Sequence, residues 1–138
     1  MNYYKVLANS PEEKVCRLAA KVTEAYSSSQ IKLLSGPRKG LVMLRVQETV
    51  ANSQFNAGEI LVTEVRLELD GQFGFGMVTG DRPRHALAVA LIDAALRKGE
   101  GLAGQLTPEL DELSHQLERQ HRDLNRLIGI SKVEFETM

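Results

Sequence analysis

Phe55 to Asp93 reads F-N-A-G-E-I-L-V-T-E-V-R-L-E-L-D-G-Q-F-G-F-G-M-V-T-G-D-R-P-R-H-A-L-A-V-A-L-I-D. Within it Leu61, Thr63, Val65, Leu67 and Leu69 fall on one face, and Glu64, Arg66 and Glu68 on the other. That period of two predicts a half-buried strand over Ile60 to Leu69. Asp70-Gly71 follows, a dipeptide suited to the left-handed backbone of a two-residue hairpin turn. The returning strand puts Phe73, Phe75 and Met77 on one face and Gly74 and Gly76 on the other. Glycine weakens a strand unless something approaches closely, so the glycine face is expected to meet a helix or another chain. Thr79 to Pro83 turns the chain into a helix, with Asp81 or Thr79 as cap and Pro83 in the first turn. His85 to Lys98 is apolar nearly all round, the pattern of a helix buried on more than one side. Together these elements predict an α+β fold, mainly antiparallel sheet packed with N-terminal, central and C-terminal helices.

Upstream, Tyr3 to Ala8 suits a short helix. Ser10 is the expected cap of a second helix, with Pro11 at its first position and Glu12 and Glu13 in its first turn. Val15, Leu18, Ala19 and Val22 give that helix an apolar face. Ser27-Ser28-Ser29 reads as a polar loop. Gln30 to Ser35 is a candidate strand, stopped by Gly36-Pro37. Gly40 opens another, Leu41 to Gln47, apolar on both faces except for Arg45, which predicts an interior strand. Ala51 to Gly58 reads as a loop. Downstream, Gly99-Glu100-Gly101 ends the central helix and Thr107-Pro108-Glu109 starts a long amphipathic one. Leu110, Leu117 and Leu124 recur every seven residues, with Leu113 and Leu127 offset. Gln120 interrupts the stripe, so a long coiled coil is not expected. Gly129 is the predicted stop, and Ile130 to Phe135 alternates like an added edge strand.

A chain of 138 residues suits one domain, 1–138, with a sizeable core. Hydrophobic residues make up 43% and charged residues 25%, as in ordinary globular proteins. Net charge is −1, which argues against nucleic acid as a partner. No apolar run approaches membrane-spanning length and no charged-then-apolar leader opens the chain. The single cysteine, Cys16, is expected on the apolar side of a helix in a reduced, cytoplasmic protein.

Chemistry has few places to reside. Gly80-Asp81-Arg82-Pro83-Arg84-His85 stands at a strand-to-helix junction, where free N–H groups and the helix dipole favour anions. Arg82, Arg84 and His85 offer charge and donors to a phosphate, a phosphonate or a partner's carboxylate. The same residues are also what a solvated helix start carries. His85 as acid or base needs an orienting group, and Asp93, two turns along the helix, is too far. The second candidate is Asn52 to Glu59, where Asn56 and Glu59 can meet a ligand or a neighbouring loop. His115 and His121 are six apart, which does not place two ligands on one helical face, and no metal site is expected. There is no phosphate-binding glycine-lysine motif, nucleophile elbow or paired-acid motif. The residues therefore predict no self-contained active site, and a domain whose apolar helix, Ala86 to Leu96, offers surface to partners.

The chain resembles the PhnG family of the bacterial carbon–phosphorus lyase system. Phe55-Asn56-Ala57-Gly58-Glu59 with Val62-Thr63 is similar to the family's F-N-x-G-E-x-x-V-T. Asp70-Gly71, Gly74, Val78 and Gly80 keep the spacing of D-G-x-x-G-x-x-x-V-x-G in its R-x-x-x-x-D-G-x-x-G-x-x-x-V-x-G-R-D, and His85-Ala86 stands where it has H-A-E. Ser131 to Met138, S-K-V-E-F-E-T-M, looks like its terminal S-R-V-D-F-F-T-M, and Tyr4 to Ala8 echoes its W-M-x-V-L-A. The matches keep their order over essentially the whole chain. The chain departs from the pattern at three places. Thr49 to Ser53 replaces a glycine-rich stretch, Gly80-Asp81-Arg82-Pro83 transposes the charges of G-R-D-K, and Leu87 replaces an acidic residue.

The resemblance implies an accessory subunit of the core complex, in a hetero-oligomer with PhnI-, PhnH- and PhnJ-like subunits and with PhnL as a further partner. The complex would make α-D-ribose 1-methylphosphonate 5-triphosphate from ATP and methylphosphonate, with magnesium ATP as its substrate and no cofactor on this chain. The nucleosidase-type chemistry is associated with PhnI. Two other readings stand beside it: a freestanding anion- or nucleotide-binding module, and a homo-oligomeric structural protein.

Overall fold

The computed structural model describes the backbone of residues 3–48, 53–99 and 101–137, with side chains at 3–43, 58–99 and 101–126. Among these residues the order is α1 (Tyr3–Asn9), α2 (Glu12–Ala25), a 3-10 turn (Ser28–Gln30), β1 (Ile31–Glu48), β2 (Ser53–Leu69), β3 (Gln72–Thr79), α3 (Pro83–Lys98) and α4 (Gly101–Thr137). The three strands form one antiparallel sheet in the order β1-β2-β3. The fold is α+β, as the sequence predicts.

The β2–β3 hairpin turns at Asp70 (φ 49°) and Gly71 (φ 86°), both left-handed, as the twist of the flanking strands requires. Gly74 and Gly76 then face α3. A Cβ at Gly76 would lie 2.8 Å from the Ala90 nitrogen, and one at Gly74 would lie 2.6 Å from the Ala94 Cβ. The helix thus packs its Ala86-Ala90-Ala94 stripe directly onto strand backbone. Ten residues of α3 are buried. The sheet covers one side through Val65, Leu67, Leu69 and Val78, and α1, α2 and α4 cover the rest with Val6, Leu7, Val15, Leu18, Val22, Leu106 and Leu110. The apolar helix expected to offer surface to partners is therefore spent inside the chain.

Several expectations are corrected. Ser10 does not cap α2: its hydroxyl donates to the Val6 carbonyl at 2.6 Å and its N–H bonds the same oxygen, so it closes α1. Pro11 takes the cap position of α2 (φ −56°, ψ 136°), with no side-chain cap bond. Neither Asp81 nor Thr79 caps α3. Arg82 is the N-cap residue, and Thr63 of β2 ties down the turn, its hydroxyl donating to Gly80 O at 2.6 Å and accepting Arg82 N–H at 3.0 Å.

Gly36-Pro37 does not end a strand either. β1 runs through it, with register shifts between Leu33 and Ser35 and between Ser35 and Arg38 that absorb the missing N–H as a bulge. β1 lies at the sheet's edge, not its interior. The predicted loop at Ala51 to Gly58 falls partly outside the described residues, and from Ser53 onward it is strand. The Ser27–Ser29 loop contains the 3-10 turn, closed by the Ser27 and Gln30 side chains. The last helix begins at Gly101, with Pro108 inside it. The proline ring and missing N–H fall opposite Gly104, four residues back, which is exposed and carries no side chain to crowd the ring. Gly129 does not stop α4, and Ile130 to Phe135 is helical. A mid-helix glycine costs about 1 kcal/mol, less than a stop needs.

Candidate functional site

β3 pairs with β2 only from Val62 to Leu69. β1 pairs with β2 much further, out to Glu48↔Ser53. Beyond Gly40↔Val62 the sheet therefore continues as a two-stranded arm. Paired residues share a face, so Leu41 and Leu61 lie on one side with Met43, and Val42 and Ile60 on the other. Relative exposure is 63% at Leu41, 43% at Val42, 47% at Met43, 39% at Ile60 and 40% at Leu61. Where its side chains are described, the arm thus leaves apolar residues uncovered on both faces. At its base stand ion pairs, Arg38 Nε to Glu64 Oε1 at 2.8 Å and Lys39 Nζ to Asp81 Oδ2 at 3.4 Å. A bare apolar patch rimmed by charge is the ordinary makeup of a protein–protein contact.

Of the sequence-predicted site residues, Glu59 and Asn56 belong to this arm. Glu59 is exposed and pairs with Met43, and Asn56 pairs with Arg45, its side chain lying outside those described. The basic turn holds the other three but does not converge them. Arg82 and Arg84 are exposed, whereas His85 is 1% exposed and points inward. His85 Nε2 lies 2.9 Å from the Leu7 carbonyl. A carbonyl only accepts, so Nε2 donates to it, and Nδ1 is buried with no partner. Arg84 reaches toward α2, where its charge acts on Cys16. Burial, with Glu12 in support, raises the Cys16 thiol above its ordinary value and keeps it protonated, against the opposing pull of Arg84. At the helix start Pro83 lacks an N–H, the Arg82 N–H serves Thr63 and the Ala86 N–H serves Arg82 O.

One buried charged cluster escaped the sequence reading. Asp93 is fully buried. Its carboxylate accepts Tyr3 OH at 2.8 Å, the Phe75 N–H at 2.9 Å and Arg97 Nε at 3.1 Å. The bond to Asp93 raises the Arg97 guanidinium above its ordinary value, and burial followed by its own bond to Asp93 raises the Tyr3 hydroxyl, against the opposing pull of Arg97. Phe75 N–H lies on the outer edge of β3, so the cluster seals that edge with α1 and α3. The signal was present in the sequence: a lone carboxylate in an apolar helix must be paired to be buried. Its chemistry is that of a clamp, since its three donors occupy the carboxylate. Tyr4 stacks on Phe75 with ring centroids 6.2 Å apart. Burial pushes its hydroxyl up to about 12. The Met77 backbone pulls slightly the other way, but its geometry falls short of a hydrogen bond, and the Tyr4 oxygen is buried without a partner.

Among the described residues no His, Cys, Asp and Glu cluster is placed to hold a metal ion, and no helix is long and apolar enough to cross a membrane. The model of a family described as phosphonate metabolism protein PhnG matches residues 1–138. No curated protein matches the chain.

Proposed function

The chain belongs to the PhnG family of phosphonate metabolism proteins, and from that premise we propose that it is an accessory subunit of the carbon–phosphorus lyase core complex. In this reading it assembles in the cytoplasm with PhnI-, PhnH- and PhnJ-like subunits and supports formation of α-D-ribose 1-methylphosphonate 5-triphosphate. In that reaction a phosphonate oxygen bonds to C1′ of the ATP ribose, the N-glycosidic bond breaks and adenine leaves. The family match over the whole chain carries the reading. Two features of the structure support it. Two buried titratable residues are tied internally: Asp93 accepts three donors and His85 Nε2 donates to the Leu7 carbonyl. The arm, in contrast, has apolar side chains uncovered on both faces. A chain built this way contributes surface to a reaction centre that lies on its companions.

The test is reconstitution. The cognate subunits should convert ATP and methylphosphonate to the ribosyl product and adenine only when this chain is present. Product formation at an equal rate without it refutes the accessory role. Turnover by the isolated chain refutes the placement of the chemistry on its companions.

A further inference from the structure

We propose that the β1–β2 arm is a wedge enclosed on both faces by an apolar slot in a different subunit, which also supplies a strand to the free edge of β1. The proposal rests on the reading of the chain as a subunit of a heteromeric complex.

The two faces argue for enclosure. Leu41, Met43 and Leu61 lie on one and Val42 and Ile60 on the other, all exposed. A surface docking flat against a partner needs apolar side chains on one face only, with polar residues alternating on the other. The arm's size argues the same way. About eight residue pairs at about 3.3 Å each give a length of roughly 26 Å, and two strands are roughly 10 Å wide. One face then has a footprint of roughly 260 Å², well below the roughly 800 Å² per partner of a stable interface. Only both faces together with the edge approach that area.

The sheet edges show where a strand would add. The edge of β3 is sealed by the Asp93 carboxylate on Phe75 N–H and by Tyr4. The near half of β1 carries Lys32, Pro37, Arg38 and Lys39, the residue types that keep an exposed edge from pairing. Leu41, Val42 and Met43 then follow in sequence before Arg45, so β1 carries no such residue over the stretch where the arm is apolar.

A second copy does not fit as the host. Two clefts among the described residues run between α2 and α4 and between α1 and α4. Arg17, Glu109 and Glu112 line the first, and Lys5, Glu118 and His121 the second. Inserting an apolar ribbon there would strip water from charges without replacing their partners. Stacking two arms would cover one face of each and leave the other bare.

Co-expression of the full chain with its cognate PhnI-, PhnH- and PhnJ-type subunits tests the proposal, comparing wild type with Leu41→Asp on one face and Ile60→Asp on the other. Both positions are exposed, so each variant alone should melt within a few degrees of wild type. Each should be recovered in the complex at least tenfold less than wild type. Wild-type recovery of either variant means that its face is not enclosed, and overturns the proposal. Hydrogen exchange on the wild-type protein is the second measurement: those amides of Leu41 to Met43 that point away from β2 should gain protection in the complex, and unchanged exchange at them overturns edge pairing. An isolated chain that sediments as a dimer broken by both substitutions makes a second copy the host and also overturns it. Failure of the wild-type chain to assemble refutes the subunit reading itself, and the wedge falls with it.

Discussion

Replacing Asp93 with alanine should be among the most damaging single substitutions outside the aliphatic core. The carboxylate is fully buried and holds α1, β3 and α3 together through Tyr3, Phe75 and Arg97. Arg97 is about half exposed and recovers its hydration, so its loss contributes little. The Tyr3 hydroxyl is partly exposed and finds water after a modest loss, about 0.5–1 kcal/mol. The Phe75 N–H has no such recourse: on the sealed edge of β3 it is left unpaired, at about 1–3 kcal/mol. The sum is about 3 kcal/mol, a large share of the roughly 5–15 kcal/mol that holds a typical domain together. Urea denaturation followed by circular dichroism reads it directly. With a slope near 1.5 kcal/mol per molar, the midpoint should fall by about 2 M at unchanged slope. Asp93→Asn keeps an acceptor for Phe75 and should lose about half as much. A cycle with Tyr3→Phe should show coupling above about 0.5 kcal/mol. An Asp93→Ala loss below about 1 kcal/mol would refute the clamp.

Two further outcomes follow from the packing of β3. Gly76→Ala places its methyl group against the backbone of Ala86 and Ala90, atoms that cannot move without shifting α3, and should cost about 3 kcal/mol in the same denaturation assay. Gly40→Ala, whose nearest contact would be a Val62 methyl at 3.9 Å, should stay within about 0.5 kcal/mol, and equal losses at both positions would contradict the close approach. Tyr4 predicts an alkaline limb. Its folded-state value is pushed up to about 12 by burial, against about 10 when unfolded. Below pH 10 both states hold the proton and the contribution is complete. Between pH 10 and 12 the unfolded chain releases it while the folded chain does not, so stability falls. Tyr4→Phe should flatten that fall without lowering stability at pH 7, because it removes a hydroxyl with no partner. A pH titration of the thermal midpoint checks both.

The parts of the fold legible in the sequence were those whose signal is chemical and local. Asp70-Gly71 fixed a turn because few other pairs accept its backbone, and the alternation from Leu61 to Leu69 fixed which face is buried. Gly74 and Gly76 announced a close neighbour, although not which one. What failed had two structural answers for one pattern. Apolarity on both faces of Leu41 to Met43 signals burial but not by what, and an interior strand and an arm left uncovered on both faces look alike in sequence. Ser10 before Pro11 reads as a helix cap, yet its hydroxyl serves the helix behind it. Alternation at Ile130 to Phe135 is too short to outweigh the helix leading into it. Of the site, Arg82 and Arg84 were placed on the surface as solvated helix-start residues would be, while His85 turned inward because Leu7 offers its carbonyl. Thr63 was missed because its partners lie 17 and 19 positions away, and the Asp93 cluster because Phe75 and Tyr3 lie 18 and 90 away, with Arg97 alone near in sequence.

The glycine face and the arm are connected mechanically. Gly74 and Gly76 bracket Phe75, and α3 lies against both through Ala86, Ala90 and Ala94. Without Cβ atoms between them, helix and strand approach closely enough for Asp93, next to Ala94 on the helix, to reach the Phe75 N–H at 2.9 Å. Thr63 adds a second tie from β2 to the start of the same helix. The base from which β1 and β2 project is therefore fastened to the core at two points, one on β3 and one on β2. A host subunit then meets an arm whose root is already ordered, and bears less of the entropic cost of fixing it. If that rigidity matters, Thr63→Val and Asp93→Asn should weaken assembly more than their losses in stability explain, although neither residue lies on the arm. Calorimetric titration at a temperature where both variants are fully folded makes the comparison: wild-type affinity for both would uncouple the anchored core from the wedge.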